Sequence, residues 1–138
     1  MYHLHGYVRA FYLHGDGEPL LFYGENANLR SINVVMKRDI AKDFHFVGKI
    51  PENTYFDIST PYGYGGWLFE GEGDKKVIFS EYNNWCMLNG IISEFMRFHP
   101  LLENDADSED VYEVIKLGHT VAIDLDSPEN IKARFTSQ

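Results

Sequence analysis

The sequence predicts an α/β (α+β) domain, a mixed and largely antiparallel sheet with helices packed on it. Three observations carry that expectation. β-Prone runs come in pairs joined by turn residues, which is hairpin chemistry. One strand–helix–strand order, from Tyr55 to His99, requires a crossover of the kind that joins parallel strands. A chain of 138 residues suits one domain, burying roughly two-thirds of its unfolded surface.

Met1 to His14 carries Tyr2, Leu4, Tyr7, Val8, Phe11 and Tyr12 at mostly three- and four-residue spacing. That is a short amphipathic helix, broken by His14-Gly15-Asp16-Gly17. His3, His5 and His14 match no metal-ligand spacing, so surface or half-buried histidines are expected. Leu20 to Tyr23 reads as a strand, Gly24 to Asn28 as a turn, and Leu29 to Ile40 as a second strand alternating through Ile32, Val34 and Met36. Lys37-Arg38 ends this hairpin, either as a solvated strand end or as a pair that meets a phosphate or carboxylate. Ala41 to Asn53 is irregular, with Phe44, Phe46 and Val47 available for burial.

The central stretch is the most informative. Tyr55 to Thr60 is β-prone and Pro61 stops it. Tyr62-Gly63-Tyr64-Gly65-Gly66 then places three glycines in four residues, where backbone can turn sharply or approach a ligand. Asp74 is a natural N-cap for a helix with Ile78, Phe79, Tyr82, Trp85 and Cys86 on one face, and Asn89-Gly90 closes it. Ile91 to His99 is a further strand, ended by Pro100.

Beyond it, Glu103 to Asp110 is an acidic loop. Asp105, Asp107 and Glu109 alternate like the opening of a calcium loop, but Asp110 stands at position six and Lys116 at position twelve, which excludes an EF-hand. Val111 to Leu117 and Thr120 to Leu125 are expected to form a hairpin through Gly118-His119. Asp126-Ser127-Pro128-Glu129 signals a helix start before Asn130 to Gln138. So little helix behind that signal leads us to expect a fragment, or a chain that continues.

Twelve basic and 21 acidic residues give a net charge of −9. No basic stripe is available to displace counterions, so nucleic acid is not an expected partner, nor is an anionic membrane surface. The lone Cys86 forms no internal disulfide and reads as a buried thiol. Without a signal peptide or a long apolar run, a cytoplasmic location without a membrane span is the expectation.

Arg97 and His99 share one face of their strand and sit at its end, beside a proline-ended loop where open sheets tend to bind ligands. Arg97 offers a fork for a carboxylate or phosphate, and His99 can take or deliver a proton near neutral pH. The competing reading pairs Arg97 with an acid, Asp57 being one candidate, and ties His99 to a backbone carbonyl. No Gly-x-Ser-x-Gly elbow and no Walker lysine is present, which disfavours triad and nucleotide-hydrolysing chemistry.

DISTPYGYGG, a helix, and then SEFMRFHPLLEN resemble the N-terminal half of GNAT-superfamily acyltransferases of the Fem type, which attach amino acids to peptidoglycan precursors, and of their BioF2-like relatives. The EPLLFY…VVMKRDI hairpin fits the same pattern, so the resemblance spans nearly the whole chain. It implies a GNAT-like half-domain, residues 1–138, of a two-half protein that moves an acyl or aminoacyl group to an amine acceptor. Acetyl-CoA or an aminoacyl-tRNA would be the donor and a small molecule or cell-wall precursor the acceptor. The second half would lie in the same chain or in a dimer mate. The GNAT acyl-CoA loop maps onto Thr60 to Gly65, with Gly63 and Gly65 in place and Thr60 where Gln or Arg is usual. Thr60, Tyr62, Gly63, Tyr64, Gly65 and Gly66 are thus the expected cofactor- or substrate-binding residues, Arg97 and His99 the expected catalytic pair, and no metal is implied. The alternative is a non-catalytic GNAT-like module that binds a ligand or partner.

Overall fold

The computed structural model describes residues 2–121 and Glu129. In chain order its elements are α1 (His5–His14), β1 (Glu18–Asn26), β2 (Leu29–Asp39), a 3-10 turn (Ile40–Lys42), β3 (Phe56–Ser59), β4 (Leu68–Glu70), α2 (Lys75–Leu88) and β5 (Ile91–Phe95). The five strands form one mixed sheet in the order β1-β2-β3-β5, with β4 pairing β2 as well. All ladders are antiparallel except β3 with β5. This is the expected mixed, largely antiparallel sheet with two helices, and it is consistent with a GNAT-like arrangement.

β2 organises the sheet. One edge pairs with the whole of β1, from Glu18 opposite Lys37 to Asn26 opposite Leu29. The other edge is shared: β3 covers Met36 to Asp39 and β4 covers Arg30 to Ile32. Asn33 to Val35 fall between these two ladders, where the chain from Thr60 to Trp67 leaves β3 and returns as β4.

The period of two along β2 decides which helix each side chain meets. Leu29 and Val35 join Ile58, Trp67 and the α2 residues Ile78, Phe79 and Tyr82 in the main core. Val34 and Met36 point to the other face, where Val8 of α1 and Phe11 cover them. Each fully buried aliphatic or aromatic side chain contributes about 1.5–3 kcal/mol relative to exposure. The larger cluster therefore anchors the α2 face.

The helix ends follow the expected chemistry. The Asp74 side chain accepts a hydrogen bond from the Lys76 N–H at 2.9 Å, starting α2. Gly90 follows the last turn at φ +68°, the left-handed conformation that glycine adopts without penalty. α1 ends the same way, with the Gly15 N–H donating to the Phe11 and Tyr12 carbonyls.

Several readings need correction. β4 was not foreseen, because three residues between turns carry no usable periodicity. β5 ends at Phe95 rather than His99, although an isolated parallel bridge between Gly65 and Phe98 continues its direction. Val111 to Leu117 forms no strand: Val111 and Tyr112 complete a turn on Ser108 and pack against the main core, while Ile115 and Leu117 lie exposed. Thr120 and Val121 form no strand either, and the rest of that hairpin, like the helix at 130–138, lies outside the described residues. Phe44, Phe46 and Val47 lie exposed rather than buried, in turns that pack on no core cluster, and Cys86 is half-buried rather than buried.

Candidate functional site

The site lies where the two parallel strands end. Beyond Ser59 and Phe95, Thr60 and Arg97 are still cross-linked: the Thr60 N–H donates to the Phe95 carbonyl at 3.1 Å, and the Arg97 N–H donates to Thr60 Oγ1 at 3.3 Å. One step on, the Gly65 N–H donates to the Arg97 carbonyl at 2.8 Å. The loop is thereby laced to the Met96–His99 segment.

Asn104 locks this arrangement from behind. Its Nδ2 donates to the carbonyls of Gly65 at 2.9 Å and Trp67 at 3.2 Å, while its Oδ1 accepts the His99 N–H at 2.8 Å. The side chain is buried, so every one of these polar groups depends on it. Asn104 sits inside the acidic run, and no local pattern could have singled it out.

The N-terminal segment covers the loop from the front. The Tyr7 hydroxyl donates to the Tyr62 carbonyl at 2.6 Å, and His3 Nε2 bonds the Gly66 carbonyl at 3.2 Å, which places the ring proton on Nε2. Burial lowers the His3 pKa, partly offset by that bond. The rings of Tyr2, Tyr64 and His99 form a mutual cluster with centroids 5.4–5.8 Å apart. Gly63 and Gly66 adopt φ of +99° and +97°, and a Cβ at either would strike a neighbour: the Tyr2 ring at 2.5 Å, or Asn104 Nδ2 at 2.8 Å.

Arg97 and His99 differ in their commitments. Arg97 is exposed, and its guanidinium makes no ion pair or hydrogen bond among the described residues. The expected candidate partner, Asp57, is held by Arg38 instead. His99 is half-buried, and its Nδ1 accepts the Leu101 N–H at 3.2 Å. In the neutral ring the proton is then on Nε2, so this geometry makes His99 a hydrogen-bond donor rather than a base.

A second polar group lies on the opposite face of β5. Glu94 accepts from the Tyr82 hydroxyl at 2.9 Å, and burial pushes its carboxyl up to about 7 even though Tyr82 and Tyr112 pull it back. Tyr112 in turn accepts the Trp67 indole N–H at 3.0 Å. Burial also drives the Tyr82 and Tyr112 hydroxyls upward and pushes the Cys86 thiol up to about 11, which leaves it unreactive near neutral pH. The alternation along the strand placed Glu94 away from Arg97, but nothing local marked it as buried.

The loop does not fit the pyrophosphate cradle of an acyl-CoA site. Thr60 is buried and committed to the Arg97 backbone, β4 intervenes between loop and helix, and Asp74 already caps α2. Two hollows of about 570 and 600 Å³ lie elsewhere, one between α1 and β1 and the other along α2. The first reaches the loop only through His3.

No family model, no curated protein and no solved structure matches the chain. Among the described residues, no helix is long and apolar enough to cross a membrane, and no group of three or more His, Cys, Asp or Glu is placed to hold a metal ion.

Proposed function

We propose that this chain supplies one half of a GNAT/Fem-like acyl- or aminoacyltransferase that moves its group to an amine acceptor, the second half lying in the same chain or a dimer mate. The observation that carries this reading is the Arg97 guanidinium, uncommitted among the described residues and two residues before His99, just past the end of the parallel β3–β5 pair. Ligands of open sheets bind at such strand ends. Arg97 holds a carboxylate or phosphate of the acceptor. His99 Nε2–H donates to the acyl carbonyl oxygen, where negative charge builds as the amine attacks. The Tyr2–Tyr64–His99 aromatic cluster limits water beside that donor. Because the loop does not fit a coenzyme A pyrophosphate, we assign this half to the acceptor.

A thermal-shift titration tests the reading. A ligand that binds only the native state raises the melting temperature by mass action. A peptidoglycan nucleotide precursor is expected to raise it, with the shift lost in Arg97→Ala, while coenzyme A and acetyl-CoA leave it unchanged. A precursor shift that survives in Arg97→Ala would remove the anion clamp from the mechanism.

One observation favours the alternative, a non-catalytic module. Gly63, Gly65 and Gly66 are each accounted for by close packing, against Tyr2, Thr60 and Asn104 respectively, without any ligand. A loop of that kind shapes the sheet end for a partner surface, and silence toward all three compounds would support it.

A further inference from the structure

The hollow between α1 and the outer strand has a chemistry unlike the chain that surrounds it. Its volume of about 570 Å³ falls in the range of small-molecule sites. His5, Val8, Arg9 and Tyr12 line it from α1 at positions i, i+3, i+4 and i+7, one stripe of the helix. Leu21 and Val34, direct partners across the β1–β2 ladder, line it from the sheet. Leu21 remains 66% exposed, an apolar side chain without cover among the described residues.

The charge lining it is one-sided. Arg9 is the cation that borders the hollow and no Asp or Glu lines it, in a chain with 21 acidic residues against 12 basic ones. Arg9 makes no ion pair among the described residues. The Leu21–Val34 pair offers no side-chain donor or acceptor, so a ligand polar along its length would lose hydrogen bonds to water there without replacement. A ligand that satisfies both ends is anionic at one tip and apolar elsewhere.

We infer that this hollow binds an unbranched fatty-acid-type monocarboxylate, its carboxylate on the Arg9 guanidinium and its tail along Leu21 and Val34. A planar carboxylate suits the guanidinium fork, and one cation matches one charge. The inference stands whether or not the chain transfers acyl groups.

Isothermal titration with decanoate, decylamine and decanol, each below its micelle concentration, tests it. Decanoate is expected to bind about tenfold or more tightly than the other two, the ratio that separates a charge-assisted contact from tail burial alone. Arg9→Glu, at an exposed position, is expected to remove that advantage while leaving decanol binding unchanged, and Leu21→Lys to weaken decanol. Chemical-shift changes at the Val8 and Val34 methyls on adding decanoate would place the tail. No binding of decanoate, equal binding of decylamine, full decanoate affinity in Arg9→Glu, or association only with phosphatidylglycerol vesicles would each overturn the assignment.

Discussion

Arg38 grips Asp57 through both oxygens, Nε to Oδ1 at 3.0 Å and Nη2 to Oδ2 at 2.6 Å. The two residues are register partners across the β2–β3 ladder, so the pairing needs no backbone adjustment. It also occupies the carboxylate that the sequence offered as one candidate partner for Arg97, whose guanidinium makes no ion pair among the described residues.

Because Arg38 is exposed and Asp57 only partly so, their pair is worth about 1 kcal/mol at most, despite its bidentate geometry. A double-mutant cycle with Arg38→Ala and Asp57→Ala in urea is expected to return a coupling energy in that range. Neither substitution should alter any ligand response that depends on Arg97.

Asn104 is the opposite case. Asn104→Ala leaves two carbonyls and one N–H without partners in a buried setting, and is expected to cost about 2–4 kcal/mol. Asn104→Asp keeps the shape but aims a carboxylate oxygen at the Gly65 and Trp67 carbonyls, so it should be no better. Chemical denaturation with an unchanged slope would show the loss as stability rather than altered compactness.

What was legible in the sequence was what is decided locally. Asp74, Asn89-Gly90 and the first hairpin announce themselves through capping and turn chemistry, and the helix between two strands implied the parallel β3–β5 pair. Asn104 and Tyr112 act through carbonyls and an indole 37 to 45 residues away, which no window along the chain can contain. The same long-range contacts explain the false hairpin. Val111 and Tyr112 have strand propensity, but packing under Trp67 and Phe79 outweighs it. Arg97 and His99 follow β5, which ends at Phe95, rather than lying on it as the alternation implied, and the loop's lacing to Asn104 and to the N-terminal tyrosine and histidine was not visible.

Gly66→Ala is expected to destabilise by about 2 kcal/mol or more. The φ of +97° disfavours any side chain, and the added methyl meets Asn104 Nδ2, which cannot withdraw without breaking its two bonds. Gly63→Ala shares the backbone penalty but meets the edge of the half-buried Tyr2 ring, which can swing. Thermal unfolding should rank the two in that order.

Glu94 gives the fold a pH dependence whose sign can be worked out. Its folded-state pKa is about 7, above the ordinary value of 4.5, so between these values the native state binds more protons than the unfolded chain. Stability from this group is present at the acid end and is lost as pH rises toward 7, by about 3 kcal/mol at most. His3, with its pKa lowered, contributes the opposite slope as its neutral form gives way to acid. Glu94→Gln keeps the acceptor for Tyr82 and removes the titration. Stability measured from pH 5 to 8 should therefore fall in the wild type relative to Glu94→Gln, and parallel curves would refute the buried-carboxyl assignment.

Arg97 and His99 separate binding from structure. Arg97→Ala removes an exposed side chain without a partner among the described residues, so stability should stay within about 0.5 kcal/mol. Its backbone N–H and carbonyl, which carry the contacts to Thr60 and Gly65, survive the substitution. His99→Ala deletes the acceptor for Leu101 and one member of the aromatic cluster, and should cost about 1–2 kcal/mol. His99→Gln, which can still donate from its side-chain amide, tests the donor role. If His99 acts by polarising a carbonyl, Gln retains part of the transferase activity that Ala loses. If it acts as a base, Gln and Ala are equally inactive, and the hydrogen bond from Leu101 must break before the ring can take a proton.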